Sequence, residues 1–411
     1  MSNKLRKIGI IGAGTMGGGI AIAFANAGFE VYLVDVNPDA LERGVERIRG
    51  FYEDAARREK MSPALAEERF ANIRPSASLG AVSVCGLVIE AVYEDLALKS
   101  RIASELADIC PSETILASNT SSLDIDQIAL ASRRPDRFIG IHFFSPAHIM
   151  KLVEVVRGRQ SSEASVAFAV HVMRALDKIP VVCGVGFGFI GNRMAEPYLR
   201  EADALILEGA TPRQIDAVAQ APELLGMAMG PCRMMDLAGN DIGASIIAGR
   251  AAVTNLLDDA SYRCVVRELA GKGYLGQKTG RGFYRYEGRQ PLDEPQTDAL
   301  ARELAAKHGV KQRDDISDEE ILQRLLFPLI NEGFEVLREG VADDENDIDL
   351  VFTAGFGFPK SRGGPMTMAR AIGLDLIRDR FETLARERGN SFGYWSPSPL
   401  LIQESNRGEM T

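Results

Sequence analysis

The N-terminal part of the chain alternates short apolar runs with longer segments in which apolar residues recur at helical spacing. Apolar runs of this length are typical of buried strands, and the amphipathic segments are typical of helices that cover a sheet. The runs predicted to form strands are residues 8–11, 31–34, 87–92, 114–118, 138–144, 152–156 and 179–183. Helices are predicted at residues 15–27, 38–60, 95–110 and 162–176, with a further helix opening at Ser62-Pro63. This order predicts a doubly wound α/β domain whose parallel sheet binds ligands at the carboxyl ends of its strands.

The pattern changes after residues 184–191, a segment with four glycines among eight residues. Long helical periodicities replace the strands from about Asn192 onwards, so we place a domain boundary in this glycine-rich segment. A polar break at residues 287–294, which contains Pro291, divides the helical region again. The predicted domains are residues 1–186, 187–290 and 291–411.

The helical region contains an internal repeat. A segment with a proline and a later Glu-Gly pair occurs twice, 131 residues apart, and a Gly-Pro pair and a Gly-x-Asp motif follow each copy in the same order. The matching positions are Pro197 and Pro328, Glu208-Gly209 and Glu339-Gly340, Gly230-Pro231 and Gly364-Pro365, and Gly239 with Asp241 and Gly373 with Asp375. We interpret the match as a duplication that gives an all-α C-terminal region made of two repeated helical units. Two such units can pack through a pseudo-two-fold interface within one chain, which predicts a monomer, while a dimer through a further surface stays open.

Composition and charge narrow the class of protein. The chain has 411 residues, of which 46% are hydrophobic, and its formal net charge is −10. Such an acidic chain is not expected to bind nucleic acid or an anionic membrane, because both require a basic surface. The five cysteines are scattered without a CxxC pair, so we expect reduced, mostly buried thiols in a cytoplasmic protein. They are Cys85, Cys110, Cys183, Cys232 and Cys264.

The first predicted strand leads into a glycine-rich motif with Gly12, Gly14 and Gly17. The three glycines permit a tight turn, close approach of a pyrophosphate to the backbone, and close packing of helix on strand. Asp35 follows the second predicted strand, 18 residues beyond Gly17, where a carboxylate accepts hydrogen bonds from an adenosine ribose. Because that carboxylate would repel a ribose phosphate, NAD is favoured over NADP. The strand before the motif, the helix after it and the acid at this distance favour a Rossmann-type domain over a purely structural glycine turn.

His142 and Glu154 are candidates for acid–base catalysis. His142 ends a predicted buried strand at the ligand edge of the sheet, and its side chain titrates near neutral pH. The alternative is a core histidine that is hydrogen-bonded to the backbone. Glu154 favours the catalytic interpretation, since a carboxylate in so apolar a strand is costly unless it is paired. Paired with His142, it would orient the ring and stabilise the imidazolium.

From about Lys7 to about Gly373 the sequence resembles the (3S)-3-hydroxyacyl-CoA dehydrogenase family. Six motifs carry the resemblance: Gly12-Ala13-Gly14-Thr15-Met16-Gly17, Ala117-Ser118-Asn119-Thr120-Ser121-Ser122-Leu123, His142-Phe143-Phe144-Ser145-Pro146-Ala147-His148, Lys151-Leu152-Val153-Glu154-Val155, Gly188-Phe189-Ile190-Gly191-Asn192-Arg193 and Gly276-Gln277-Lys278-Thr279-Gly280-Arg281-Gly282-Phe283-Tyr284. Serine at position 145 and the second repeat, ending in Arg362-Gly363-Gly364-Pro365, are similar to the dehydrogenase portion of peroxisomal-type multifunctional β-oxidation enzymes.

The resemblance implies an NAD-dependent enzyme that interconverts (3S)-3-hydroxyacyl-CoA and 3-oxoacyl-CoA, with His142 as the base oriented by Glu154. It assigns Ser121 and Asn192 to substrate contacts, although either residue could instead cap a helix, and Ser122 could cap equally well. The cofactor contacts that it implies include Thr15 and Met16 of the glycine-rich motif, Glu94, Lys99, Asn119, Ser145 and Lys278. Without the resemblance, Glu94, Lys99 and Lys278 would be interpreted as ordinary surface charges.

Two alternatives of function remain open, a dehydrogenase for a 3-hydroxy acid that lacks CoA and a non-catalytic NAD-binding relative. No hydratase segment precedes the first strand, so we expect a free-standing dehydrogenase that works with a separate hydratase. The acyl-chain length is open, as is the choice between fatty-acid oxidation and another acyl-CoA route. Arginines in the predicted helix at residues 38–60 could attract CoA phosphates, but interleaved glutamates make a solvated helix face equally plausible.

Overall fold

The computed structural model describes residues 6–251 and 259–408, and the chain folds into two compact units. Unit 1 contains Met1–Ile190 and Gly340–Asp343, and unit 2 contains Gly191–Glu339 and Asp344–Thr411. The chain therefore passes from one unit to the other three times. The first passage lies in the glycine-rich segment at residues 184–191, whereas the predicted boundary after residue 290 falls inside a short strand of unit 2.

Unit 1 is built on an eight-stranded sheet with the strand order β3-β2-β1-β4-β5-β6-β7-β8. The strands are β1 (Lys7–Ile11), β2 (Glu30–Val34), β3 (Ile73–Ser76), β4 (Leu87–Glu90), β5 (Ile115–Ser118), β6 (Phe138–Phe143), β7 (Leu152–Arg157) and β8 (Ile179–Gly184). The central strands are buried on both faces, as their uninterrupted apolar sequences require. Only β3 was not predicted, because Arg74 and Pro75 interrupt its apolar pattern at the sheet edge.

Helices cover the sheet, and all of them except the first begin at side-chain caps that the sequence supplies. The helices are α1 (Thr15–Asn26), α2 (Pro38–Arg57), α3 (Pro63–Ala71), α4 (Leu96–Ile109), α5 (Ile125–Ala131) and α6 (Glu163–Ala175). Ser62 caps α3 through the amide of Leu65, as predicted from Ser62-Pro63. Asp95 caps α4 in the same manner through the amide of Leu98.

The sheet departs from the expected parallel arrangement at one place. Strands β6 and β7 pair antiparallel, with His142 opposite Glu154 and Phe143 opposite Val153. The connection between them spans only residues 144–151, which is too short for the helical crossover that a parallel pair requires. The expectation of a wholly parallel sheet is therefore wrong at this pair, and every other neighbouring pair in the sheet is parallel.

Unit 2 is mainly helical, with one small hairpin formed by β9 (Arg285–Glu287) and β10 (Gln290–Leu292). The helices are α7 (Gly191–Glu208), α8 (Pro212–Gln220), α9 (Pro231–Ala238), α10 (Asn240–Ala251), α11 (Cys264–Gly271), α12 (Pro295–His308), α13 (Asp318–Arg338), α14 (Glu345–Gly355), α15 (Pro365–Ile372), α16 (Leu374–Arg388) and α17 (Pro399–Gly408). Helices α7 and α13, which contain Pro197 and Pro328, pack against each other.

The predicted repeat has matching local structure in its two copies. Asp216 accepts hydrogen bonds from the first-turn amides of α9 at 2.8 and 3.1 Å, and Asp349 accepts from those of α15 at 2.7 and 3.0 Å. Each helix is preceded by a glycine, Gly230 or Gly364, where an added Cβ would collide with that aspartate. These matches support a duplication, which stays an interpretation.

The environment of the cysteines and the length of the apolar helices can be compared with the sequence-based expectations. All five cysteines are buried and free, which confirms that they pack in the interior. In the part of the chain that the structure describes, no helix is both long and apolar enough to cross a membrane.

Candidate active site

The glycine-rich turn joins the carboxyl end of β1 to α1. Gly12 has φ +102, and its amide donates to the carbonyl of Val34 at 2.7 Å. A Cβ on Gly12 would lie 2.7 Å from the carbonyl oxygen of Ala91, and one on Gly17 would lie 1.8 Å from that of Gly12. Side chains are thus excluded at both positions by the turn and by the close packing of α1 on β1.

Gly14 differs from these two glycines because a Cβ there would meet no atom within 4 Å. It is the N-cap residue of α1 and provides no side-chain cap, so the amides of the first turn, at exposed Thr15 and half-buried Met16, have no side-chain acceptor from the cap residue. The helix dipole makes such a turn attractive to a phosphate. The geometry fits a dinucleotide pyrophosphate seated over Gly14.

Asp35 lies at the carboxyl end of β2, beside the same turn. One carboxylate oxygen accepts the amide of Ala13 at 3.0 Å, and the other accepts the amide of Asn37 at 3.0 Å. The side chain is half-buried, and each carboxylate oxygen retains a second lone pair for a ribose hydroxyl.

The sequence did not reveal how closely α2 approaches this turn. A Cβ on Gly44 would lie 2.5 Å from the carbonyl oxygen of Ala13, and Arg47 donates to that oxygen at 2.7 Å. Arg47 belongs to the arginines considered for CoA phosphates. In the structure its guanidinium instead supports the glycine-rich turn.

Lys99 is buried, so its interpretation as a surface charge is wrong. Its side chain is 1% exposed, and its ammonium donates to Glu90 at 2.8 Å and to the carbonyl of Val92 at 3.2 Å. Glu90 also accepts the hydroxyl of Ser118 at 2.7 Å. In the sequence, Glu90 is marked only as a carboxylate in an apolar strand, which is the same signal that indicates Glu154.

Glu94 fastens the loop that follows β5. It accepts hydrogen bonds from the Thr120 hydroxyl at 2.6 Å and from the amide and hydroxyl of Ser121 at 2.9 and 3.2 Å. Burial raises the pKa of Glu94, but Lys99 at 3.4 Å and these hydrogen bonds outweigh burial and hold the pKa below its ordinary value. Glu94 is thus a carboxylate that positions Ser121, not a solvated surface charge.

The capping alternatives for the candidate substrate contacts are wrong. Helix α5 is capped by Asp124, which accepts the amides of Asp126 and Gln127, and not by Ser121 or Ser122. Asn192 lies inside the first turn of α7 instead of preceding it.

Asn119 and Ser145 follow neighbouring strands in unit 1. The Asn119 side-chain oxygen accepts the amide of Phe143 at 2.9 Å, which ties the end of β5 to the end of β6. Ser145 is exposed two residues beyond β6. Lys278 lies in unit 2, as does Asn192, and its ammonium pairs with Asp241 at 2.5 Å.

The structure brings His142 and Glu154 together. The Nδ1 atom of His142 is 2.8 Å from one carboxylate oxygen of Glu154, and the other oxygen accepts the amide of Ile190 at 3.1 Å. Glu154 is fully buried and His142 is 5% exposed, with the rings of Phe144 and Phe189 at 4.6 and 5.7 Å. Because Nδ1 faces the carboxylate, Nε2 is the ring atom that can exchange a proton with a substrate.

Together these groups can hold a dinucleotide along the carboxyl edge of β1, β2 and β4, with an acid–base histidine at the end of β6. Ligands of doubly wound sheets bind at this edge, near the point where the strand order reverses between β1 and β4. Among the described residues, no group of three or more His, Cys, Asp and Glu side chains could hold a metal ion.

Two family models match the chain and together span most of it. The NAD binding domain of 3-hydroxyacyl-CoA dehydrogenase matches residues 7–200. The C-terminal domain of 3-hydroxyacyl-CoA dehydrogenase matches residues 188–286 and again residues 321–411. NAD is therefore the cofactor of the N-terminal domain.

Similar proteins come from animals and bacteria. A peroxisomal bifunctional enzyme of Danio rerio is 39% identical over 98% of this chain, and the chain spans 57% of its length. The crystal structure of 3-hydroxybutyryl-CoA dehydrogenase from Escherichia coli K12 has 28% identity, a TM-score of 0.83 and 99% coverage of both chains. The structure of (S)-3-hydroxybutyryl-CoA dehydrogenase PaaH1 from Ralstonia eutropha has 36% identity and a TM-score of 0.62, and covers 69% of this chain and 99% of its own.

The names of the similar curated proteins, including those of Homo sapiens and Arabidopsis thaliana, are those of peroxisomal enzymes. They contradict the prediction of a cytoplasmic location. The two domain matches, and the identity with a relative that is covered almost completely, settle the family. This chain is an oxidoreductase of the NAD-dependent 3-hydroxyacyl-CoA dehydrogenase family.

Proposed function

We propose that the chain catalyses the reversible oxidation of (3S)-3-hydroxyacyl-CoA to 3-oxoacyl-CoA. The observation that carries the proposal is the buried His142–Glu154 pair at 2.8 Å, at the ligand edge of the sheet that holds the NAD-binding turn. A protein that only bound NAD would have no need of a base held by a buried carboxylate. The names of the similar bacterial structures, which act on a 3-hydroxybutyryl thioester, support the choice of substrate.

In the proposed reaction, Nε2 of His142 takes the proton of the substrate hydroxyl. A bound NAD would supply the oxidant for the hydride that leaves the carbon bearing this hydroxyl. Glu154 faces Nδ1–H and stabilises the imidazolium that forms, while the amide of Ile190 fixes the carboxylate from its other side. In the reverse direction, the imidazolium returns its proton to the oxygen of the 3-oxo group.

Ser121 and Asn192 are the proposed substrate contacts. Glu94 holds the backbone and hydroxyl of Ser121, so that its hydroxyl lies on a rigid loop at the carboxyl end of β5. Asn192 stands in the first turn of α7, where its side chain carries a donor and an acceptor suited to a thioester carbonyl. Both assignments rest on the family motifs that contain these residues.

The proposed cofactor contacts fall into three groups. Gly12, Gly14, Thr15, Met16 and Gly17 surround the pyrophosphate position, and Asp35 selects NAD through the ribose. Asn119 and Ser145 are proposed contacts at the nicotinamide end, and Lys278 is a further proposed contact because it lies in the family motif at residues 276–284. Glu94 and Lys99 act mainly by holding the loop after β5, because their charged groups are already engaged with each other and with that loop.

The test is the NADH-dependent reduction of acetoacetyl-CoA and of longer 3-oxoacyl-CoA thioesters, followed by the loss of NADH absorbance. The purified protein should turn over at least one of them, and His142→Ala should lower kcat by several orders of magnitude with nearly unchanged NADH affinity. Turnover of free 3-oxo acids but not of thioesters would refute the CoA substrate. Equal loss of turnover and NADH binding in His142→Ala would show that His142 is structural.

A further inference from the structure

A reciprocal set of ion pairs joins α7 of the first helical repeat to α13 of the second. Arg193 in α7 donates to Glu332 at 2.6 Å and to Glu339 at 2.5 Å. Arg324 in α13 donates to Glu201 at 2.8 Å and makes a two-pronged contact with Glu208, both bonds being 2.9 Å. Arg324, Glu332 and Glu339 lie 131 positions after Arg193, Glu201 and Glu208. Arg193 of the first repeat therefore binds two glutamates of the second, and Arg324 of the second repeat binds the equivalent two glutamates of the first. Reciprocal pairing of this kind is typical of a two-fold interface.

The two arginines differ in burial, with Arg324 2% and Arg193 16% exposed, and in the residue that precedes each of them. Arg193 follows Asn192, the proposed substrate contact, in the first turn of α7, whereas Arg324 follows Gln323, to which no role is assigned. Two residues before Arg193, a Cβ on Gly191 would lie 2.6 Å from the ring of Phe356 and 3.2 Å from Val351 of α14. The turn that carries Asn192 is therefore held by the second repeat at two separate points.

Arg193 and Glu339 lie close in sequence to points at which the chain passes from one unit to the other. Gly191 is the first residue of unit 2, and Glu339 is the last residue before the chain passes back to unit 1 at Gly340. The Arg193–Glu339 bond thus joins two of the three places where the chain passes between the units. The side chains of Arg193 and Glu332 are 16% and 19% exposed, so that pair is shielded from solvent more than an ordinary surface ion pair, whereas the Glu339 side chain is 39% exposed.

We propose that the second repeat is a working part of the substrate site, and that Arg193, held by Glu332 and Glu339, is the positioning residue that orients Asn192 toward the acyl-CoA. The proposal rests on the function proposed above. Arg193 acts through Asn192 and does not itself contact the reacting atoms. A displacement of about 1 Å in a substrate-positioning group can lower turnover by about 100-fold, so the geometry of this turn matters even though the ion pair is remote from the hydride.

The reciprocal set supplies a control at the equivalent position, Glu208, which accepts a hydrogen bond from Arg388 at 2.6 Å in addition to those from Arg324. Glu339→Gln and Glu208→Gln each remove one carboxylate charge from equivalent positions, but only the first lies on the Arg193 side. We expect Glu339→Gln to reduce kcat/KM for acetoacetyl-CoA by about 10-fold and Arg193→Met by about 100-fold. Glu208→Gln should keep kcat/KM within about twofold of the wild-type value, whatever its effect on Tm. Arg193→Lys should retain more activity than Arg193→Met, because it keeps the positive charge. The dissociation constant of NADH should change in none of these variants, since the proposed pyrophosphate and ribose contacts belong to unit 1.

Hydrogen exchange of the peptide spanning residues 191–200 provides a readout that does not require activity. Exchange should accelerate in Arg193→Met and Glu339→Gln relative to Glu208→Gln, because the first turn of α7 loses its anchor. If wild-type protein fails to turn over any thioester, the proposed function fails while this measurement still decides whether the turn is held. Equal exchange in Glu339→Gln and Glu208→Gln, or equal loss of kcat/KM in both, would overturn the proposal.

Discussion

Replacing Glu154 with glutamine changes the chemistry of His142 without changing the size of its partner. One carboxylate oxygen of Glu154 accepts the amide of Ile190 at 3.1 Å, and the other faces Nδ1 of His142 at 2.8 Å. A glutamine must keep its carbonyl oxygen toward Ile190, because that amide needs an acceptor. Its NH2 group then points at Nδ1 and donates to it. The proton of the neutral ring is thereby moved to Nε2, where the base is required.

The size of the effect follows from the burial of the pair. Unit charges about 4 Å apart attract by about 4 kcal/mol at an effective dielectric constant of about 20. Glu154 is fully buried, so we expect its carboxylate to stabilise the imidazolium by about this energy. That energy corresponds to about 1,000-fold in rate. The wrong tautomer adds to this loss, and a similar replacement in serine-protease triads costs about 10,000-fold. We therefore expect Glu154→Gln to lower kcat by about 1,000- to 10,000-fold.

The assay follows NADH at 25 °C in both directions with acetoacetyl-CoA and 3-hydroxybutyryl-CoA. Because the equilibrium constant of the reaction is fixed, the ratio of kcat/KM between directions must be unchanged at a given pH while both values fall. Glu154→Asp is the control that keeps the charge but withdraws it by one methylene, and it should lose less activity. A loss smaller than about tenfold in Glu154→Gln, with Tm and NADH affinity intact, would refute the orienting role of the carboxylate.

Three further predictions address the cofactor, acid stability and assembly. Asp35→Ala should narrow the preference for NADH over NADPH, measured as the ratio of their dissociation constants. Loss of the hydrogen bond to Ala13 weakens the binding of both cofactors, whereas loss of the charge favours only NADPH. An unchanged ratio would contradict this prediction. Arg193 holds the pKa of Glu339 below its ordinary value, and for Glu208 burial raises the pKa but Arg324 and Arg388 more than offset it. The stability from these glutamates is present above their ordinary pKa near 4.5 and is lost on acidification through the lowered values, so Tm should fall less on acidification in a Glu208→Gln/Glu339→Gln double variant than in wild type. Light scattering should give a mass near 44.7 kDa, the mass of one chain, and a value twice as large would refute the predicted monomer.

Much of the sheet and the contact between His142 and Glu154 could be predicted because their signals are local. Apolar runs located seven of the eight strands of unit 1, and a carboxylate in such a run pointed from Glu154 to His142. The same logic applied to Glu90 would have found Lys99 as its buried partner. Lysine is rarely buried, however, and the exposure of Lys99 cannot be judged from its spacing along the chain.

The errors arose where several acceptors or donors compete for one position. Ser121, Ser122 and Asp124 are all good caps, and the choice of Asp124 depends on Glu94 and Thr120 engaging the two serines. Glu94 lies 27 residues before Ser121, so no local pattern reveals the contact. Likewise, the predicted repeat contains Glu208 and Glu339 but not Arg324 and Arg193, the arginines that bind them, because the partners of each ion pair lie more than 100 residues apart.

The chemistry of the site depends on the register of one antiparallel pair. His142 meets Glu154 because the short connection at residues 144–151 returns β7 beside β6 with these two residues directly opposite. At Gly140, an added Cβ would lie 2.7 Å from the Cβ of Val156, so the close approach two residues before His142 admits only glycine. A slip of one residue would turn every side chain of β7 to the other face and leave the buried carboxylate without its histidine. The glycine and the length of the connection therefore specify the proposed catalytic pair as directly as the histidine and the glutamate themselves.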